Sequence, residues 1–186
     1  MANFSEAYIK LCELEFSNKP EKFLHRNEGE NGYTLGGIYQ VANPSEFNWE
    51  FIEKIVSACA YDLERASVML YQDENTTRQV FSFFKKYYWD RIHLDTVFSQ
   101  VQAENIFFSG VHIGIRSAVK LAQKVVQTEE DGYLGEYTLK ALNFYDDTMF
   151  KTAYDKLEIE NYENLIQRNP NLSWAKQGFI NRAYFA

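Results

Sequence analysis

Cysteine, proline and histidine are scarce in this chain of 186 residues, which holds 2 Cys, 3 Pro and 3 His. Cys12 and Cys59 cannot supply the framework of a disulfide-stapled module, and neither has a C-x-x-C partner, so both are expected to be free thiols on apolar helix patterns. His25, His93 and His112 are scattered without metal-ligand spacing, so no metal and no cofactor are expected. There is no run of about 18 apolar residues, so no membrane span is expected. The opening MANFSEAYIKLCELEF lacks the basic, apolar and small-residue segments of a secretory signal, which points to synthesis in the cytoplasm. Positive charge is in the minority, with 19 Lys and Arg against 26 Asp and Glu, a net charge of -7. Phosphate-backbone binding rests on clustered cations, so nucleic acid is an unlikely partner by charge. Fixed-period repeats, low-complexity tracts and Pro-rich linkers are also missing, and the length suits one domain spanning 1–186.

Aromatic residues are abundant, 17% of the chain with 13 Tyr and 15 Phe, which is too rich for a disordered or purely coiled-coil protein. From Ser5, an expected N-cap, Tyr8, Ile9, Leu11, Cys12 and Phe16 recur at helical spacing until Ser17-Asn18-Lys19-Pro20 stops the run. Similar spacing predicts helices over 47–71, 76–89, 95–109, 113–127, 136–144 and 147–168, and hence a mainly α fold. The β signal is confined to a hairpin or loop near residues 30–42, where EGENGYTLGGIY packs four glycines into twelve residues. The aromatics Phe81, Phe83, Phe84, Tyr87, Tyr88 and Trp89 are expected to be mainly core, although a ring there could border a saccharide groove.

Three strings occur in an order that resembles the phage-type N-acetylmuramidases of glycoside hydrolase family 108. Gly32-Tyr33-Thr34-Leu35-Gly36-Gly37-Ile38 matches the family's GG-x-T-x-x-G-I. Gln123 followed by Asp131-Gly132-Tyr133-Leu134-Gly135-Glu136-Tyr137-Thr138-Leu139 matches Q...DG-x-x-G-x-x-T-L, and Gly178-Phe179-Ile180-Asn181-Arg182 matches the G-W-x-N-R tail. The resemblance spans nearly the whole chain. It implies a lysozyme-like helical fold, an N-terminal part of about residues 1–92 carrying the catalytic helix and the Gly-rich loop, and a C-terminal part 93–186 resembling a peptidoglycan-binding module. Phe16-Ser17 departs from the family's Gly-Gly after the acid, Asn31 from the first glycine before Thr34, and Phe108 from an Asn before Ser-Gly.

The activity so implied is cleavage of the muramic acid glycosidic bond, by an endolysin-type enzyme acting on bacterial peptidoglycan. Such chemistry needs a proton donor on the leaving oxygen and commonly a second carboxylate. Two glutamates compete for donor. Glu28-Gly29 copies the family's string, but Glu28 is only six residues before Thr34 and would leave the first helix without a counterpart. Glu15 ends that helix and is preferred, with Phe16, Tyr33 and Tyr39 expected to desolvate it partly and hold its proton. Glu30 is the expected second carboxylate, activating a water with Thr34, while Thr34, Tyr33, Tyr39 and His25 are expected to bind sugar. The plain alternative is that Glu15 is a helix-end charge and Glu30 a solvated loop charge. A lysin without a signal segment would need a holin lesion or secretion machinery to reach the wall. The competing function is a catalytically inactive peptidoglycan-binding or secretion-associated protein on the same scaffold.

Overall fold

The protein, a computed structural model, is described over residues 1–27 and 29–185, with only the backbone described at Trp174. The described chain is mainly α with one small three-stranded antiparallel sheet, as the helical spacing predicts. It divides into two compact units, Tyr8–Lys86 and a discontinuous one made of Met1–Ala7 and Tyr87–Ala186.

Helix α1 (Phe4–Phe16) contributes Tyr8–Phe16 to the first of these. Its N-cap is Asn3 rather than Ser5, because Asn3 Oδ1 accepts from Ser5 N at 2.8 Å. It ends where Ser17 and Asn18 both turn left-handed, at φ +57° and +52°. A side chain in that region costs roughly 1–2 kcal/mol, least for Asn. Three two-residue strands follow, β1 (Leu24–His25), β2 (Thr34–Leu35) and β3 (Ile38–Tyr39), then α2 (Trp49–Ala58), α3 (Leu63–Gln72) and α4 (Glu74–Phe84). Strand β1 lies before the segment where the β signal is strongest, because a two-residue strand is too short to show period-two alternation.

In the register Leu24↔Leu35↔Ile38, all three side chains share one face of the sheet and are buried. Full burial of such a residue is worth roughly 1.5–3 kcal/mol, enough to fix so small a sheet. Ser67 of α3 ties β1 down, accepting from Leu24 N at 2.8 Å and donating to the carbonyl of Pro20. The single helix expected over 47–71 is instead two. Ala60 and Tyr61 sit at φ +55° and +64°, and Asp62 caps the second helix by accepting from Arg65 N. Of the two free thiols, Cys59 is buried and Cys12 half-buried.

The other unit contains α5 (Gln100–Ile113), α6 (Ile115–Val125), α7 (Glu136–Asn143), α8 (Asp147–Arg168) and α9 (Lys176–Ala183). Helix α5 starts five residues later than the apolar spacing predicts, because Ser99 caps it by accepting from Gln102 N. Phe4 meets Trp89 and Phe107 edge-on at 5.5 and 5.7 Å, and Tyr162 stacks flat on Phe179 at 4.6 Å, joining α8 to α9. Among the described residues, no helix is long and apolar enough to cross a membrane.

Candidate active site

Glu15 occupies the last turn of α1, where the negative end of the helix opposes its charge. Something must hold a carboxylate there, and the β2–β3 hairpin supplies it. Leu35 pairs with Ile38, leaving Gly36 and Gly37 as a two-residue turn with φ +54° and +88°, the requirement of a type I′ hairpin. Each glycine is forced for a different reason. A Cβ on Gly36 would stand 2.7 Å from the Phe23 ring and 2.8 Å from Val80, so the turn is pressed into the core. A Cβ on Gly37 would stand 3.0 Å from both Cγ and Oε2 of Glu15, so this glycine clears the space in which the carboxyl lies. Glu15 is half-buried, and its Oε1 is closed off from solvent. The hairpin thereby fixes one carboxyl oxygen against bare backbone.

The register also groups three of the expected sugar-binding residues. His25 pairs with Thr34, and Thr34 with Tyr39, so the three side chains form one row across the sheet on the face opposite Leu24, Leu35 and Ile38. Thr34 is buried, whereas His25 and Tyr39 are half-buried. His25 Nδ1 lies 3.3 Å from the carbonyl of Lys22. The row offers an imidazole, a hydroxyl and a phenol in sequence.

Glu30 lies in the β1–β2 loop, which closes on itself. Its amide donates to Asn27 O at 3.1 Å, and its carbonyl accepts from Arg26 Nε at 3.0 Å. Its Oε2 is buried without a hydrogen-bond partner among the described residues, so Glu30 is more than a solvated loop charge. Glu28, the rival donor, lies outside the described residues.

Tyr33 is placed by residues that the sequence did not single out. Gln40 Oε1 accepts from its amide at 3.0 Å. Burial and a hydrogen bond to the Glu53 carboxylate raise its phenol above the usual value. Tyr39 is held through its carbonyl, which accepts from Asn43 Nδ2 at 3.0 Å, while the Asn43 carbonyl accepts from Trp49 Nε1 at 2.9 Å. The signal for Gln40 and Asn43 was their place just after the Gly-rich string. Nothing in the sequence pointed to Glu53, which comes from α2.

Also on α1, Tyr8, Cys12 and Phe16 recur at four-residue spacing and line a pocket of about 500 Å3 with Phe23, Tyr71 and Phe81. Burial pushes the Cys12 thiol up to about 11, with Glu15 adding to the rise, so near neutral pH it is a protonated wall group rather than a nucleophile. Among the described residues, no group of three or more His, Cys, Asp and Glu could hold a metal ion.

The most specific string of the resemblance forms a structural knot in the helical unit. Gln123 Nε2 donates to Asp131 Oδ1 at 2.7 Å, to the Tyr133 carbonyl at 2.9 Å and to Thr138 Oγ1 at 3.2 Å, while its Oε1 accepts from Gly132 N at 2.8 Å. The Gln, Asp-Gly and Thr positions thus close the loop between α6 and α7. Hydrogen bonds from Gln123 and from the Tyr133 amide hold the Asp131 carboxyl below its usual value.

No family model matches the chain, and no curated protein matches it in sequence. Among solved structures, the chain is similar to that reported as "Structure of Brucella abortus SagA", with a TM-score of 0.61 at 17% identity. The match covers 96% of this chain and 94% of that one. At this identity the likeness establishes a shared fold alone.

Proposed function

We propose that the protein is a peptidoglycan-degrading glycoside hydrolase, a lysozyme-like N-acetylmuramidase in which Glu15 is the general acid. The observation that carries this reading is the placement of the Glu15 carboxyl at the end of α1 against Gly37, in a hairpin turn that only two glycines can make there. A catalytic acid must be held in one geometry through the reaction, and a mutual fit of helix end and turn provides that. The closure of Oε1 from solvent supports the role further, because it keeps bulk water away from the carboxyl.

In this mechanism Glu15 gives its proton to the glycosidic oxygen as the bond to the muramic acid anomeric carbon breaks. The Thr34 row of the sheet lies along the sugar, with His25 and Tyr39 flanking the ring. Glu30 serves as the second carboxylate, taking a proton from the water that attacks the oxocarbenium-like centre. Tyr33, held by Glu53, closes the wall of the groove. The natural partner is the glycan strand of bacterial peptidoglycan, reached from the cytoplasm through a holin lesion or by secretion machinery.

Digestion of purified wall sacculi tests the bond that is cut. Soluble muropeptides with muramic acid at the reducing end are expected. Sacculi bound without release of reducing ends would instead assign the fold to wall binding.

A further inference from the structure

A second pocket in the residue 8–86 unit shares no residue with the Glu15 site. About 360 Å3 in volume, it lies where the start of α2 meets the start of α4, with Phe47, Phe51, Asn48, Asp73, Asn75 and Gln79 on its walls. Its lining is unusual in carrying three primary amides, one carboxylate and two phenyl rings. Asn48 Oδ1 accepts from Phe51 N at 3.0 Å to cap α2, which turns the amide NH2 outward as a donor. Asp73 caps α4 through Oδ2, which takes Thr76 N at 2.8 Å and Thr76 Oγ1 at 2.6 Å and leaves Oδ1 as an acceptor. Those two donors also hold the Asp73 carboxyl below its usual value, so it stays ionised. Asn75 and Gln79 are four residues apart on α4, hence on one side of it, and both are exposed. Phe51 is 39% exposed, while Phe47 is buried behind it.

Each feature selects among ligand classes. A fixed carboxylate disfavours anions, and the lining holds no cation to offset it. Planar amide and carboxylate groups are suited to neighbouring hydroxyls, each of which both donates and accepts. An exposed phenyl offers a flat face to the C–H side of a sugar ring. An acetamido group completes the match, because its N–H and C=O pair with a primary amide and its methyl can rest on phenyl. The volume lies at the lower end of the range for small-molecule pockets, about 300–1,000 Å3, which suits one or two sugar rings.

We infer that this pocket is a second saccharide site, taking an N-acetylated amino sugar as a neutral ligand apart from the groove at Glu15. It would hold a glycan strand at a point removed from the bond being cut, raising the local concentration of substrate without entering the reaction.

The test is titration of the full chain with N-acetylglucosamine, followed by 1H–15N NMR. This monosaccharide has no glycosidic bond to hydrolyse, so the result does not depend on activity. Saturable shifts at the Asn48, Asn75 and Gln79 side-chain amides are expected, unchanged in Glu15→Gln and at least tenfold weaker in the Asn75→Ala, Gln79→Ala double variant. Both substituted residues are exposed, so the variant's spectrum elsewhere should match that of the wild type. Glucose, which lacks the acetamide, is expected to bind several-fold more weakly. No saturable shift at these amides, equal binding of glucose or of a dialanine peptide, or undiminished binding in the double variant would each overturn the assignment. Loss of binding in Glu15→Gln would place the sugar in the catalytic groove instead.

Discussion

The residue that organises the candidate site is Gly37 as much as Glu15, and it acts through what it lacks. Replacing Gly37 with Ala adds strain at φ +88° and puts a methyl 3.0 Å from Glu15 Oε2, so the carboxyl must move. Displacement of a reacting group by about 1 Å can cost on the order of 100-fold in rate. The carboxyl has to give by only a few tenths of an ångström, so Gly37→Ala is expected to lose wall-lytic rate by less than that factor, and about 1–3 kcal/mol of stability by chemical denaturation. Gly29→Ala, also at positive φ but with nothing within 4 Å of its Cβ, should lose stability alone. Glu15 stands out in the sequence as a candidate because it ends the first amphipathic helix, whereas Glu28 lies only six residues before Thr34. The service of Gly37 to Glu15 was not legible there, since twenty-two residues separate them and only the folded chain brings them together. Tyr33 was legible as a ring in a Gly-rich loop, whereas its anchor Glu53 sits on an amphipathic helix like any surface acid.

At the scale of elements, turn chemistry explains both what the sequence revealed and what it hid. Gly36-Gly37 between Leu35 and Ile38 marks a type I′ hairpin, and it folds as one. The break between α2 and α3 carries no glycine or proline, because Ala60 and Tyr61 take up left-handed backbone that their identities do not announce. Apolar spacing does not predict α9, because its eight residues carry a weak apolar stripe, and contact such as that of Phe179 with Tyr162 holds it. The Asp-Gly string after Gln123 was recognisable as a helix connection, but the amide at its hub belongs to the preceding helix. Gln123→Ala would remove four hydrogen bonds and leave buried partners unsatisfied. A loss of roughly 2–4 kcal/mol is expected in urea unfolding, with hydrogen exchange at Gly132 and Tyr133 accelerated first. Wild-type protection of those amides in the variant would contradict the knot.

For the whole molecule, acid sensitivity should come from the helical unit. His112 of α5 has Nε2 buried, and burial together with the Arg182 charge lowers its pKa from 6.5 to about 3. The folded protein thus binds this proton less readily than the unfolded chain. The stability it confers is fully present above about 6.5 and is lost as the pH falls toward 3. The limiting slope is about 1.4 kcal/mol per pH unit, and the effect should be smaller because part of the ring reaches solvent. Buried Glu158 and Asp155 on α8 are shifted upward by burial, so they act in the opposite sense, favouring the fold as pH falls through their raised values. Substituting Gln for His112 is therefore expected to flatten the fall in Tm between pH 6.5 and 4, and an unchanged slope would assign the acid response elsewhere. Mainly α architecture was legible from periodicity, but the composition of α5 was not informative about this group, because its buried polar residues resemble an exposed face. The most direct test of the central claim remains the lytic rate of Glu15→Gln on purified sacculi, beside a circular dichroism spectrum of the same protein. A folded variant slowed by about 100-fold or more is expected of a general acid, and a folded variant that lyses walls at the wild-type rate would contradict it.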